Sequence, residues 1–194
     1  SVDKKNVSEL TLPEAREIGA TLTGNGIGLS ALGSPMGKVD ITVDFDKYLD
    51  AVKHMCELSN ILGTDKIRMF SFFNAYNERN RVIEYLSEMV EVAAGFGVYL
   101  CHENEKGIFG DTPERTRQLL DALPQLGGIF DPANFIQCGQ DTLEAWKCWL
   151  PMSTICTSRT RCPTDRWCLP ERVWAMCLPS YGPIWKRAAA PSLW

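Results

Sequence analysis

From Ile27 to Lys147 short apolar runs alternate with stretches whose apolar residues recur every three or four positions, and this alternation limits the possible folds most. The runs "IGLSALG", "KIRMFSFF", "VYLCHE" and "GGIFDP" are six to eight residues long, which suits strands covered on both faces. Between them, "FDKYLDAVKHMCELSNILG" sets Tyr48, Val52, Met55, Leu58 and Leu62 on one helical stripe that Gly63 can end. "RVIEYLSEMVEVAAGFG", "TPERTRQLLDAL" and "DTLEAWK" read as further helices, with Pro113 early in the second of them. Ahead of the first run, Thr11 and Glu14 in "TLPEAREIGATL" have the spacing of a capping box. Strands and helices in this order imply a parallel α/β sheet with crossover helices, either open and doubly wound or closed into a barrel.

Two polar clusters favour the barrel, since both sit where a strand gives way to its loop: "HENE" after "VYLC", and Asp131 after "GGIF". In either architecture that edge is where chemistry is placed. Alternate strand residues face opposite sides, so Tyr99, Cys101 and Glu103 share one face while Val98, Leu100 and His102 share the other. If Glu103 points into a site, His102 points towards the helices and has a structural role. Asp111 and Glu114, spaced before "RTRQLL" as at a helix start, are assigned to capping.

The charge balance is mildly acidic, 20 basic against 24 acidic side chains, which leaves no broad footprint for nucleic acid. No apolar run reaches the ~18 residues a bilayer span needs. The first residues, "SVDKKNVSEL", lack the basic and apolar regions of a secretion signal, so a cytoplasmic location is expected. Composition changes sharply at Lys147. Of eight cysteines and six tryptophans, five of each follow it, and the net charge goes from −8 before to +4 after. The expected division is therefore 1–147 and 148–194.

"YLCHENEKGIFGDTPERTRQLLDAL" and "GGIFDPANF" resemble the sugar phosphate isomerase/epimerase family, the xylose-isomerase-like TIM barrels, and "GIGLSALGSPMGK" and "KIRMFSFF" resemble its second and third strand regions. The resemblance covers residues 1 to about 147. It implies an incomplete (β/α)8 barrel, roughly strands 2 to 5 with their helices, because "VDKKNVSELTLPEA" is similar to the loop after the family's first strand. It also implies a divalent metal, Mn²⁺, Mg²⁺ or Zn²⁺, held by Glu, Asp, His and Glu from four strands. Glu103 in "ENE" and Asp131 in "DPAN" match the first two. Hard cations suit carboxylate oxygens, a metal offsets the charge left when a proton moves beside a sugar carbonyl, and a carboxylate can carry that proton. By the same resemblance Glu103 is the catalytic acid or base, and Asn104, Glu105 and Asn134 line the substrate. Asn134 stands where many relatives have His, and Glu105 where a neutral ring is common. Arg68 and Lys106 are the cations placed to meet a phosphate or carboxylate.

The resemblance predicts a metal-binding His and a second Glu after "EAWK", yet no His follows His102. The tail has no C-x-x-C and no paired His, which argues against a zinc module. It reads instead as the same DNA in another frame: from Pro151 a shifted reading can give "YVDYMHIKDALPDGSVVPAGKGMG", with its His arising across Cys156 and Thr157. Trp167 before Cys168 and Met176 before Cys177 each force Val in that frame.

The expected activity is proton transfer on a sugar or sugar phosphate, impaired in this chain, with self-association through exposed sheet edges. No nucleic acid or membrane partner is expected. The alternatives are an endonuclease-IV-like metal hydrolase of the same superfamily and a non-catalytic α/β binding module.

Overall fold

The computed structural model describes residues 5–149 and the backbone of Thr154–Cys156, all within one compact unit, Ser1–Thr157. The shifted-frame reading of the tail lies outside the described residues, apart from that short strand.

Local signals set most helix ends. After a 3-10 turn at Val7–Glu9, helix α1 (Leu12–Gly24) opens on the Thr11/Glu14 capping box, in which each side chain accepts from the other's backbone N–H. Helix α2 (Phe45–Leu62) is capped by Asp44 and ends at Gly63, whose φ of +79° is a left-handed conformation that costs a glycine little. Helix α3 spans Arg79–Gly95 and α4 spans Pro113–Ala122. The cap of α4 is Thr112, whose side chain accepts from the Arg115 N–H. Asp111 does not cap the helix, because its carboxylate accepts from the Tyr76 hydroxyl and Arg115 Nη1, each at 2.6 Å. A further short helix, α5 (Pro132–Gln137), precedes α6 (Thr142–Trp149).

The strands are β1 (Leu32–Gly33), β2 (Lys66–Met69), β3 (Tyr99–Glu103), β4 (Gly127–Phe130) and β5 (Thr154–Cys156). They form one parallel sheet in the order β1-β2-β3-β4-β5. Each strand lies beside the next in sequence, without the reversal of order that defines a doubly wound sheet, so this is part of a barrel wall. The change in composition at Lys147 falls inside α6, and β5 pairs with β4 beyond it.

Parity separates the two faces. Ile67, Met69, Leu100 and Phe130 point to the helices and are at most 1% exposed. Burying each such side chain contributes about 1.5–3 kcal/mol. Under β4, Phe130 meets Phe135, Trp146 and Trp149 at ring separations of 5.1–5.3 Å. Gly128 makes room for that cluster, since a Cβ there would lie 2.9 Å from the Trp149 ring. On the opposite face Tyr99 is 61% exposed.

Two strands are shorter than their apolar runs. In "IGLSALG" only Leu32 and Gly33 find a partner strand, and Ile27 is exposed. In "KIRMFSFF" the ladder stops at Met69, after which the N–H groups of Phe70, Phe72 and Phe73 donate to the carbonyls of Met36, Gly37 and Val39. Phe72 and Asn74 take positive φ, 64° and 55°, to follow that path. Apolarity predicts burial of these phenylalanines but not their hydrogen-bond partners.

Candidate functional site

The carboxyl ends of β1 to β4 gather a rim of polar side chains around Arg68. Arg68 and Ser34 are tied in both directions: Ser34 Oγ donates to the Arg68 carbonyl at 2.6 Å, and Arg68 Nη2 donates to the Ser34 carbonyl at 3.3 Å. The guanidinium crosses the inner face over Gly33, whose missing side chain leaves 3.7 Å between a would-be Cβ and Nη2. Its other edge faces Glu103, with Nε 3.2 Å from Oε2. The buried Nε–H makes no hydrogen bond, so Nε meets that oxygen as an ion-pair contact.

Phe70 lies beneath two cations. The Arg68 guanidinium is 5.1 Å from its ring centroid and Lys38 Nζ is 4.2 Å away. Lys38 also binds Glu105 Oε2 at 2.8 Å, joining the loop after β1 to the loop after β3. Lys106 is exposed beside them.

Glu103 ends β3 on the inner face and is 7% exposed. It pairs in register with Ile129, so Asp131, two residues further on, shares its face by the alternation of the neighbouring strand. Asn104 fixes Asp131. Its side chain accepts from the Asp131 N–H at 2.7 Å and donates to the Asp131 carbonyl at 2.9 Å, which extends the β3–β4 pairing by one step. Asn134 Nδ2 in turn donates to the Asn104 carbonyl at 2.8 Å. The Asn104 amide, completely buried, is thus given to positioning rather than presented to a ligand. Asp131 Oδ1 accepts from the N–H groups of Ala133 and Asn134, so one carboxylate oxygen also caps α5.

His102 faces the helix side, as parity predicts, and is fully buried. Its Nε2 lies 2.9 Å from Ser71 Oγ, which also accepts from the Gly110 N–H at 2.8 Å. Burial pushes the imidazole pKa down to about 3, which keeps it neutral. It ties β3 to the loop after β2.

The family model described as "Xylose isomerase-like TIM barrel" matches residues 2–159. The chain belongs to this family. No curated protein matches the sequence. Among solved structures of this barrel type, a probable 3-DHS dehydratase, AsbF, from Bacillus anthracis is similar over 74% of this chain and 55% of its own, with 19% identity and a TM-score of 0.61. A 3-keto-D-glucoside 4-epimerase, YcjR, from E. coli is similar over 87% of this chain and 75% of its own, with 14% identity and a TM-score of 0.66. A xylose isomerase-like TIM barrel protein from Mycobacterium smegmatis, in complex with magnesium, is similar over 81% and 61%, with 16% identity and a TM-score of 0.64. The chain therefore spans little more than half the length of AsbF.

The Mycobacterium smegmatis protein is in complex with magnesium, which makes the donor set on this rim worth testing. Among the described residues no group of three or more His, Cys, Asp or Glu side chains is placed to hold a metal ion. With one Asp131 oxygen bound to amides and Glu103 beside a guanidinium, the described rim does not by itself fit a divalent ion. No described helix is long and apolar enough to cross a membrane.

Sequence reasoning singled out Glu103, Asp131, Asn104, Glu105, Asn134, Arg68 and Lys106. The structure joins Arg68 to Glu103 and Asn104 to Asp131 and Asn134, and leaves Lys106 exposed. Lys38 and Ser34 were missed. Their only signal is a Gly-, Ser- and Pro-containing loop after an apolar run, which marks a strand end but not what its side chains reach.

Proposed function

We propose that this rim is part of a metal-dependent isomerase or epimerase site for a sugar or sugar phosphate, acting by proton transfer next to a carbonyl and impaired in this chain. One observation supports the reading most: Glu103 and Asp131 leave neighbouring parallel strands on the same face, at the carboxyl edge. Glu103 is the proposed proton carrier, taking a proton from the carbon beside the carbonyl and returning it. Arg68 offsets its charge, and the nearly complete burial of the carboxylate limits competing water. Glu105, Asn134 and Lys106 are the proposed substrate contacts, with Asn104 setting Asp131. The proposed setting is the cytoplasm.

Two carboxylates supply too few donors for tight metal binding, because affinity grows with ligand number and preformed geometry. Calorimetric titration with Mn²⁺ is expected to show weak binding at most, and tight stoichiometric binding would refute the impairment. The chemistry itself is tested by proton NMR of a panel of ketoses and ketose phosphates in D₂O. Slow exchange at the carbon beside the carbonyl, lost in Glu103→Gln, is expected. Exchange that persists in Glu103→Gln would remove Glu103 from the reaction.

A further inference from the structure

We infer that Lys38 and Glu105 act together as a hydroxyl-reading pair, in which the ammonium donates to one sugar hydroxyl and the carboxylate accepts from its neighbour. The inference rests on reading this rim as a sugar site, and it adds Lys38 as a specificity-determining residue. Lys38 Nζ meets Glu105 Oε2 at 2.8 Å, joining two loops whose residues lie 67 positions apart in the chain. The bridge is seated on Phe70, the residue that follows β2, with Nζ 4.2 Å from the ring centroid. The Arg68 guanidinium lies against the same ring, 5.1 Å from its centroid, and its Nε is 3.2 Å from Glu103 Oε2. One ring and one guanidinium therefore separate Lys38 from Glu103, a span on the scale of a single sugar.

Both heads remain within reach of a ligand. The side chains of Lys38 and Glu105 are 34% and 25% exposed, whereas Asn104 is completely buried and given to Asp131. Among the described residues the Lys38 ammonium makes no hydrogen bond other than the one to Glu105, and Glu105 Oε1 accepts none. Donors and an acceptor are thus left side by side. A hydroxyl both donates and accepts, so adjacent hydroxyls match such a pair, and hydrogen bonds to charged groups are the stronger kind. A phosphate matches it less well, because the carboxylate beside the ammonium repels a second anion. The ring and the bridge also restrict the lysine stem before a ligand arrives, which lowers the ordering cost of binding.

The full chain is titrated with the panel of ketoses and ketose phosphates by saturation-transfer difference NMR, without added metal, and each variant is also followed by thermal unfolding. Lys38→Met and Glu105→Met are each expected to weaken ketose binding about tenfold, the loss of one hydrogen bond to a charged group. The double variant should fall well short of the roughly hundredfold product, because each head holds the other in place. Lys38→Arg keeps a charged donor and should stay within about threefold of the wild type. Tm should fall by no more than about 3 °C in Lys38→Met, since partly exposed ion pairs contribute little to stability. Ketose binding unchanged in Lys38→Met would overturn the pair while leaving the sugar site standing. Weakening confined to the phosphate esters would overturn the hydroxyl reading in favour of an anion contact. Weakening that comes only with a larger loss of Tm, and that Lys38→Arg does not restore, would assign Lys38 to the fold and overturn its role at the ligand. A wild type that binds no ketose would instead overturn the sugar reading, and the pair with it.

Discussion

Replacing Asn104 by Ala would remove the side chain that holds Asp131 from both sides. Two buried hydrogen bonds, at 2.7 and 2.9 Å, are lost, and the Asp131 N–H and carbonyl are left without those partners. A hydrogen bond contributes about 1 kcal/mol net, while each buried group left unsatisfied costs about 1–3 kcal/mol. Partial access of water at the rim offsets some of this, so a loss of about 3 kcal/mol is expected, or about 6–12 °C in Tm. Urea unfolding monitored by tryptophan fluorescence should show a lower midpoint with an unchanged slope. Hydrogen exchange should speed up at the Asp131 amide more than at the amides of α2. Asn104→Asp gives a sharper comparison, because it keeps an acceptor for the N–H but sets a second acceptor against the Asp131 carbonyl. It should be at least as destabilising as Ala. A loss below about 1 kcal/mol in Asn104→Ala, or an Asn104→Asp variant as stable as the wild type, would refute the two-sided clamp.

Two glycines with similar φ should respond very differently to alanine. At Gly37 (φ +82°) a Cβ would lie 2.0 Å from the Phe70 carbonyl oxygen, so Gly37→Ala should abolish folding as judged by circular dichroism. At Gly63 (φ +79°) nothing lies within 4 Å, and Gly63→Ala should cost only about 1–2 kcal/mol. For His102 the folded pKa of about 3 lies below the usual 6.5, so the unfolded chain binds more protons between those values. Its contribution is complete above pH 6.5 and is lost as pH falls, at about 1.4 kcal/mol per pH unit. Unfolding free energies measured at pH 6.5 and 5 should therefore differ by about 2 kcal/mol in the wild type and by much less in His102→Gln. An equal slope in both would refute the neutral buried imidazole.

The sequence by itself determined features that depend on near neighbours. The capping box at Thr11 and Glu14, the left-handed stop at Gly63 and Pro113 in the first turn of α4 were legible because caps and turns are made within a few residues. Strand parity separated Glu103 from His102 for the same reason, since successive side chains on a strand must alternate. The acidic pair at the strand ends was legible too, but only as two positions on a rim. Tertiary structure decided what those positions touch. Lys38 meets Glu105 across 67 residues, Tyr76 takes Asp111 across 35, and Asn104 clamps Asp131 across 27. These contacts exist because parallel pairing brings the carboxyl ends of all the strands to one edge and packs their loops together. No local pattern encodes such an approach, so a capping signal at Asp111 and a ligand signal at Asn104 both gave way to partners that only the folded rim supplies.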